Sequence, residues 1–287
     1  MSTNWNAAIE DAARLFSVSG IDDAHTNAEY LAAWVLGVWK KDELREYLTN
    51  SPSDSEKTQF DQFVARRLLH EPLQYIIGET EFFGLRLFCS PAALIPRPET
   101  EILVEEALKE SEHLKQENKN THILDIGTGS GAVILAIASR LPNSDCIGID
   151  ISEDALVLAQ RNTSRLHREN VRFAHIDFLQ DEITERFDLI VSNPPYIPFA
   201  DLQSLPDEVR TYEPRDALTD RSDGFTFYKA IAEKAKILLE PGGSVIVETE
   251  FKGAIHVREI FREHGLAIKR TVKDLLGFER VVVASLK

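Results

Sequence analysis

The sequence predicts an α/β domain with a mostly parallel sheet, preceded by a small helical domain. From residue 121 onward, strand-like and helix-like segments alternate, a pattern typical of parallel strands covered by helices on both faces. The first 70 residues instead carry apolar side chains at helical spacing. With 287 residues, of which 43% are hydrophobic, the chain is long enough to bury a core in each of two domains.

The helical domain is predicted over residues 1–75. Apolar side chains recur at helical spacing between residues 28 and 36 and again between residues 60 and 68. Ser53 and Glu56 precede the second run and predict a capping box at the start of its helix. The sequence of this domain shows no catalytic pattern, so its expected role is substrate recognition.

Residues 76–97 are predicted to form a linker that contains a β-hairpin. Three prolines follow the hairpin, and Pro98 can occupy the first turn of a helix that runs to about Glu117. The apolar runs that indicate short strands are residues 75–77, 82–83 and 85–88.

The domain over residues 98–287 is predicted to alternate strands with helices, the helices at residues 131–141, 153–166 and 225–239. The last two strand-like runs follow each other without a good helix, which indicates an antiparallel edge. The predicted strands are residues 122–126, 146–149, 171–174, 187–191, 244–248, 266–272 and 280–286.

Charge and cysteine content narrow the function classes. The net charge is −15, and neither the first 95 residues nor the remainder is basic, which disfavours a nucleic-acid partner. Two cysteines and eight scattered histidines show no metal-ligand spacing, so no metal is expected. The N-terminus does not resemble a signal peptide, and no apolar run spans a bilayer. We therefore expect a cytoplasmic monomer that does not contact membranes.

A glycine-rich turn predicts a nucleoside-binding site. Gly127-Thr128-Gly129-Ser130-Gly131 joins a strand to a helix, and glycines there let the backbone approach a ligand closely. Asp150 ends the next strand, where a carboxylate can accept hydrogen bonds from both ribose hydroxyls. The pattern suits NAD as well as S-adenosylmethionine, so the turn alone leaves the cofactor open. Asp177 and Phe178 follow the third strand and are further cofactor-binding candidates, Phe178 as a surface for an adenine ring or, alternatively, as a core aromatic.

The segment Asn193-Pro194-Pro195-Tyr196 indicates the chemistry. Asn193 and Pro194 each precede a proline, so both are restricted to extended conformations and the turn is stiff. The Asn193 side-chain oxygen and the Pro194 carbonyl can each accept one N–H of a planar –NH2 group and direct its nitrogen at an electrophilic methyl. Tyr196 can pack against that flat group. Asn193, Pro194 and Tyr196 are the catalytic candidates, all four residues are candidates for binding the substrate, and S-adenosylmethionine is favoured over NAD.

With these motifs the chain resembles the protein-(glutamine-N5) methyltransferases that modify peptide chain release factors. The resemblance covers nearly the whole length. One departure is ETEFKG at residues 248–253, where the family usually has an acid, a glycine and then a glutamine. The segments that carry the resemblance are IPRPETE at residues 95–101, LDIGTGSG at 124–131, VSNPPYI at 191–197 and EPRDAL at 213–218.

The resemblance implies a Rossmann-like, seven-stranded methyltransferase sheet with an antiparallel last strand. It implies S-adenosyl-L-methionine as cofactor, S-adenosyl-L-homocysteine as product, and the glutamine of the Gly-Gly-Gln motif in class I release factors as substrate. The turn from Gly127 to Gly131, Asp150, Phe178 and Asn193 would contact the cofactor. The segment from Asn193 to Tyr196 would contact the glutamine.

Three alternatives stay open. A DNA adenine methyltransferase shares the Asn193–Tyr196 element but must flip a base out of a duplex, which the acidic charge disfavours. A glutamine methyltransferase of a ribosomal protein is not separated by the motifs. A cofactor-binding protein without catalysis is disfavoured because the Asn193–Tyr196 element is intact.

Three charged residues lie near the motifs. Arg97 and Glu99 are interpreted as closing the cofactor pocket, with helix capping as the alternative for Glu99. Glu213 is interpreted either as shaping a loop over the substrate or as a solvated loop acid.

Overall fold

Two units of different architecture make up the fold. A computed structural model describes residues 4–39, 41–114 and 120–286. The first unit comprises Met1–Glu79 with Pro206–Tyr212, and the second comprises Thr80–Leu205 with Glu213–Lys287. The domain limits at residues 75 and 97 remain predictions beside this division, and the helix end expected near Glu117 lies outside the described residues.

The first unit is helical, as the sequence predicts. Its helices are α1 Trp5–Val18, α2 Ala24–Val35, α3 Lys41–Leu44, α4 Asp54–Leu68 and α5 Leu73–Ile77. The expected capping box begins α4: the Ser53 side chain accepts the Glu56 N–H at 3.3 Å, and the Glu56 carboxylate accepts the Ser53 N–H at 2.7 Å. Trp5 packs edge-on against Phe60, with ring centroids 5.4 Å apart, inside the core of this unit.

The strand predicted at residues 75–77 is wrong, because these residues form α5. Pro72 precedes this helix, and Gly78 ends it in the left-handed conformation, at a φ of 80°. The side chains of Tyr75 and Ile76 are buried. A short apolar run fits a buried helical turn as well as a buried strand, so composition alone misassigned it.

A segment distant in sequence completes the first unit. Pro206–Tyr212 belongs to it although it follows the sheet strands along the chain. The Arg67 guanidinium, itself buried, pairs with Glu208 at 2.9 Å and donates to the Asn27 side-chain oxygen at 2.8 Å. The Tyr212 hydroxyl donates to the carbonyl of Leu69 at 2.7 Å. These contacts hold the segment against the helices.

The second unit contains the predicted hairpin and a seven-stranded sheet. The predicted helix after Pro98 is present, preceded by one 3₁₀ turn over Pro98–Thr100. The strands are β1 Glu79–Phe82 and β2 Leu85–Phe88 in the hairpin, and β3 His122–Ile126, β4 Asp145–Asp150, β5 Val171–His175, β6 Phe187–Ser192, β7 Leu239–Glu248, β8 Leu266–Lys273 and β9 Glu279–Leu286 in the sheet. The helices of this unit are α6 Glu101–Leu114, α7 Ala132–Arg140, α8 Glu153–Leu166, α10 Arg215–Leu218, α11 Thr226–Leu238 and α12 Ala254–Glu263. Helix α9, Asp207–Tyr212, belongs to the first unit.

The sheet has the order β5-β4-β3-β6-β7-β9-β8. Its strands pair in parallel from β5 to β7, and β9 is antiparallel to both β7 and β8. The mostly parallel sheet with an antiparallel last strand is therefore confirmed. The antiparallel strand lies one place in from the edge, since β8 occupies the edge itself.

Each face of the sheet is covered by helices over its own core. On one face α6 and α7 pack on side chains such as Ile123 and Leu189, and on the other α11 and α12 pack on side chains such as Leu124 and Ile190. Because alternate residues of one strand enter opposite cores, the central strands carry apolar side chains on both faces, with buried acids at Asp125 and Asp188. None of the helices in the described ranges is both long and apolar enough to cross a membrane.

Candidate active site

The loops that follow β3, β4, β5 and β6 surround a cavity of about 660 Å³. This is the edge of a parallel sheet where ligands bind, because the loops after neighbouring strands converge there. Gly131 and Tyr196 lie outside the cavity wall. The predicted site residues that line it are Gly127, Thr128, Gly129, Ser130, Asp150, Asp177, Phe178, Asn193, Pro194 and Pro195.

The three glycines of the turn after β3 serve different purposes. All have positive φ, at 71° for Gly127, 55° for Gly129 and 79° for Gly131, which favours glycine. A Cβ on Gly127 would meet no atom within 4 Å, so this backbone borders open space. A Cβ on Gly131 would lie 3.1 Å from Leu135 and 3.3 Å from Ala159. Gly131 therefore allows close packing of α7 and α8, whereas Gly127 and Gly129 border the cavity.

Asp150 ties two loops together at the cavity wall. One carboxylate oxygen accepts the Gly129 N–H at 2.8 Å, and the other accepts the Ser152 N–H at 2.9 Å. Burial raises the pKa of Asp150, and the two N–H groups oppose that shift. Each carboxylate oxygen can accept a second hydrogen bond, so the group can still receive both hydroxyls of a ribose.

Asp125, within the LDIGTGSG segment, is a further buried acid that sequence reasoning did not assign a role. It accepts the Thr128 hydroxyl at 2.7 Å. Burial, reinforced by the charge of Asp150, raises the pKa of Asp125 to about 7. The Asp125 side chain thus holds Thr128, the second residue of the glycine turn, in place.

Asn162, on α8, is a positioning residue that the sequence did not reveal. Its side-chain oxygen accepts the Phe88 N–H at 2.6 Å. Its side-chain nitrogen donates to the carbonyls of Phe88 at 3.2 Å and Ser130 at 2.9 Å. One buried amide therefore joins the end of the hairpin to the glycine turn. A polar residue amid the apolar positions of a helix was the available signal.

Asp177 and Phe178 lie together at the end of the site beyond β5. Phe178 belongs to the sheet core and also contributes to the cavity wall, and the Lys234 ammonium lies 4.8 Å from its ring centroid. The Asp177 carboxylate accepts the N–H of Leu179 at 2.9 Å. The core and cavity interpretations of Phe178 are thus compatible, since the residue occupies the boundary between them.

The Asn193 side chain is oriented by a neighbour on the 3₁₀ turn before α6. Its nitrogen donates to the Thr100 hydroxyl at 3.2 Å. Because the nitrogen is used in this way, the amide oxygen is the atom that can accept from a ligand. Tyr196 packs against the core and donates its hydroxyl to Glu248 at 3.5 Å, and burial raises its pKa.

Glu213 is buried, so its interpretation as a solvated loop acid is wrong. Its side chain is 1% exposed and pairs with the Arg97 guanidinium. It also accepts the Ile95 N–H at 3.4 Å. Arg97 lines the cavity, as expected, whereas Glu99 lies outside the wall. The ion pair with Arg97 therefore fixes the loop that contains Glu213 beside the cavity.

The loop between α10 and α11 closes against the Asn193–Tyr196 segment. The Asp220 carboxylate accepts backbone N–H groups of Ser222 at 2.8 Å, Gly224 at 3.0 Å and Thr226 at 2.9 Å. A Cβ on Gly224 would lie 2.3 Å from the carbonyl oxygen of Tyr196. Only glycine fits this approach, which sequence reasoning did not identify.

Comparisons with known proteins decide the family. Residues 117–272 match the sequence profile described as a methyltransferase domain, and residues 7–78 match the profile described as the PrmC N-terminal domain. A release factor glutamine methyltransferase of Geobacter sulfurreducens is 41% identical over 265 residues, which cover 92% of this chain and 90% of that protein. The chain belongs to the release factor glutamine methyltransferase family. The resemblance stated from the sequence motifs is thereby confirmed.

Other relatives agree. The release factor glutamine methyltransferase of Aliivibrio fischeri is 37% identical over 288 residues, covering 99% of this chain and 98% of that protein. Among solved structures, a methyltransferase from Pyrococcus furiosus superimposes with a TM-score of 0.52 at 20% identity, covering 70% of this chain and 89% of that chain. This likeness supports the methyltransferase fold.

Proposed function

We propose that this chain methylates the side-chain amide nitrogen of the glutamine in the Gly-Gly-Gln motif of class I peptide chain release factors, using S-adenosylmethionine. The names of its relatives support the release factor as substrate. The observation that carries the chemistry is the orientation of Asn193, whose nitrogen is bound to Thr100 beside a cavity also lined by Pro194.

The cavity fits S-adenosylmethionine. Its volume of about 660 Å³ lies in the range of small-molecule sites. The Asp150 carboxylate would accept the ribose hydroxyls, Phe178 would face the adenine, and the turn from Gly127 to Gly131 would lie along the ligand. When bound, the cofactor supplies a methyl group on a positively charged sulfur, which already activates it toward a nucleophile.

The Asn193–Tyr196 segment would bind and orient the glutamine. Its amide nitrogen is a poor nucleophile because the lone pair is delocalised into the carbonyl. The Asn193 side-chain oxygen and the Pro194 carbonyl would each accept one N–H, which fixes the nitrogen and stabilises the positive charge that develops on it as the N–C bond forms and the S–C bond breaks. The methylated nitrogen would then release one of these two protons to water, which leaves the neutral N-methyl amide. Tyr196 would pack beside the planar amide. These groups need no metal ligand set, and the described residues include no cluster of three or more metal-binding side chains.

Methyl transfer to purified substrates tests the proposal. Labelled methyl should appear on the Gly-Gly-Gln glutamine of an intact release factor, as mapped by mass spectrometry. Asn193→Ala should lower kcat by about 100-fold or more, the loss expected on removing one preorganised hydrogen-bonding group. Asn170→Ala is the matched control, because Asn170 donates to carbonyls at Leu141 and Ser144, residues outside the cavity wall.

The same assay separates the other substrate classes. Ribosomal proteins and duplex DNA should remain unlabelled under conditions that label the release factor. We further infer that the chain acts as a cytoplasmic monomer without a nucleic-acid or membrane partner. The net charge of −15 supports the absence of nucleic acid. Sedimentation of the purified protein at micromolar concentration should give the mass of a single chain, 32.4 kDa.

A further inference from the structure

A buried carboxyl group that the reaction described above does not use lies next to the site. Glu248 ends β7 and is 2% exposed. Its Oε1 accepts the Tyr196 hydroxyl at 3.5 Å, and its main-chain carbonyl accepts the Tyr228 hydroxyl at 2.8 Å. Its Oε2 is buried and has no hydrogen-bond partner among the described residues.

Thr100 places this carboxyl group in reach of Asn193. The Thr100 hydroxyl accepts from the Asn193 side chain at 3.2 Å and interacts with the Glu248 carboxyl group. Thr100 is itself buried. Both ends of the Asn193–Tyr196 segment are thus connected to Glu248, one through Thr100 and the other through the Tyr196 hydroxyl.

We propose that Glu248 is a positioning residue for methyl transfer, which rests on the function proposed above: it orients Asn193 through Thr100 and Tyr196 through its hydroxyl, so that the glutamine nitrogen is held in line with the methyl group. An ionised Glu248 draws the Thr100 hydroxyl toward itself. Thr100 in turn binds the N–H of Asn193 more strongly, and the Asn193 oxygen becomes a better acceptor for the substrate.

The charges around Glu248 set the pH at which this effect operates. Burial, together with the charge of Glu99, raises the pKa of Glu248 to about 7 against the lowering effects of Thr100, Arg280 and Tyr196. Tyr228, whose pKa burial also raises, remains neutral. The carboxyl group therefore ionises around neutral pH, and kcat should rise as the pH increases through this range.

Substitutions of Glu248 and Thr100 test the proposal kinetically. Glu248→Gln should lower kcat for the release factor by about tenfold, the loss of one charge-assisted hydrogen bond, with the Kd for S-adenosylmethionine unchanged. The rise of kcat near pH 7 should disappear, because glutamine does not ionise. Thr100→Val should lower kcat similarly, and Thr100→Ser, which keeps the hydroxyl, should restore it.

Glu110→Gln is the matched control for removing a buried carboxylate. Glu110 accepts from Ser244, Lys269 and Arg270, none of which lines the cavity. This variant should lose thermal stability but keep the wild-type kcat and its pH profile. The comparison distinguishes the general effect of removing a buried carboxylate from the specific loss of Asn193 and Tyr196 positioning.

A measurement on the protein alone tests the connection directly. In NMR spectra without ligands, the side-chain NH2 resonance of Asn193, assigned by its absence in Asn193→Ala, should shift with pH near 7. The shift should vanish in Glu248→Gln and persist in Glu110→Gln. An Asn193 resonance that ignores Glu248, together with an unchanged kcat in Glu248→Gln, would overturn the proposal. Failure of the wild-type enzyme to label any release factor would instead refute the proposed function, while the NMR result would still decide whether the two residues are coupled.

Discussion

The carboxylate of Asp150 accepts N–H groups from the loops after β3 and β4, so it supports the cavity wall that it also lines. Asp150→Ala should therefore weaken S-adenosylmethionine binding by about 1–3 kcal/mol, the loss of charge-assisted hydrogen bonds. Isothermal titration calorimetry on the folded variant measures this. Asp145→Ala, at the other end of the same strand, should leave the affinity unchanged. Equal affinity in Asp150→Ala would mean that other groups hold the ribose.

Asp125 predicts a pH dependence of stability. Its pKa is about 7 in the folded protein, above its ordinary value of 3.8. Between these values the folded state binds the proton more tightly than the unfolded state, so this group's contribution to the free energy of unfolding falls as the pH rises from about 4 to 7. In Asp125→Asn that contribution is absent. Urea unfolding at pH 4.5, 6 and 7.5 should give a smaller decline with pH for the variant than for the wild type, and equal slopes would contradict the assignment.

The sequence predicted those candidate site residues that lie in short local patterns. The glycine turn, Asp150 and Asn193 each lie at the end of a strand, and a few adjacent residues are enough to indicate what each could bind. The sequence did not reveal the roles of Asn162, Thr100 and Glu248, because their partners are remote in sequence. Asn162 binds Phe88, 74 residues away, and Thr100 binds Asn193, 93 residues away. Such pairs become visible only when the fold brings them together.

At the scale of elements, the strands and helices of the sheet unit were predictable because short apolar strands alternate there with longer helical patterns. The short elements were less so. Residues 75–77 are helical rather than extended, and α12 was not predicted although Ala254, Val257 and Phe261 are buried at helical spacing. These positions follow the i, i+3, i+7 spacing of an amphipathic surface helix, so the sequence contained the signal for α12 and it was overlooked.

The loop between α10 and α11 depends on one close approach, that of the Gly224 backbone to the Tyr196 carbonyl. A Cβ on Gly224 would lie 2.3 Å from the Tyr196 carbonyl oxygen, and its φ is 84°. Gly224→Ala should destabilise the protein by about 1–3 kcal/mol and lower kcat, since the backbone of Tyr196 must move. Gly242→Ala is the matched control, because Gly242 has the same φ but nothing within 4 Å of its Cβ. Thermal unfolding and kcat of both variants should show that only the Gly224 substitution affects turnover.

At the scale of the molecule, the chain order does not follow the division into units. Pro206–Tyr212 belongs to the helical unit although the residues on either side of it belong to the sheet unit. The sequence could not predict this, because α9 is six residues long and has no buried residue to give it a pattern. Removing the helical domain would therefore also remove Arg67 and Leu69, the partners of this segment.

The acidic helical domain is expected to recognise the release factor at a distance from the methylated glutamine, because the Asn193–Tyr196 segment fits any planar amine. A chain beginning at Thr80, where the sheet unit starts, keeps Phe88 and the cavity residues Ala92 and Ala93. If circular dichroism shows it folded, it should bind S-adenosylmethionine as the full chain does. It should methylate an intact release factor far more slowly, and neither form should methylate duplex DNA.

A short Gly-Gly-Gln peptide used as substrate distinguishes loss of recognition by the helical domain from loosening of the Pro206–Tyr212 segment. Loss of recognition lowers kcat/KM only for the intact protein, whereas a loosened Pro206–Tyr212 segment lowers it for both substrates. Glu208→Ala in the full chain removes the pair with Arg67 but keeps the bonds of Arg67 to Asn27 and Glu71, so it measures the second effect alone. Full activity of the shortened chain on the intact release factor would show that recognition lies within the sheet unit.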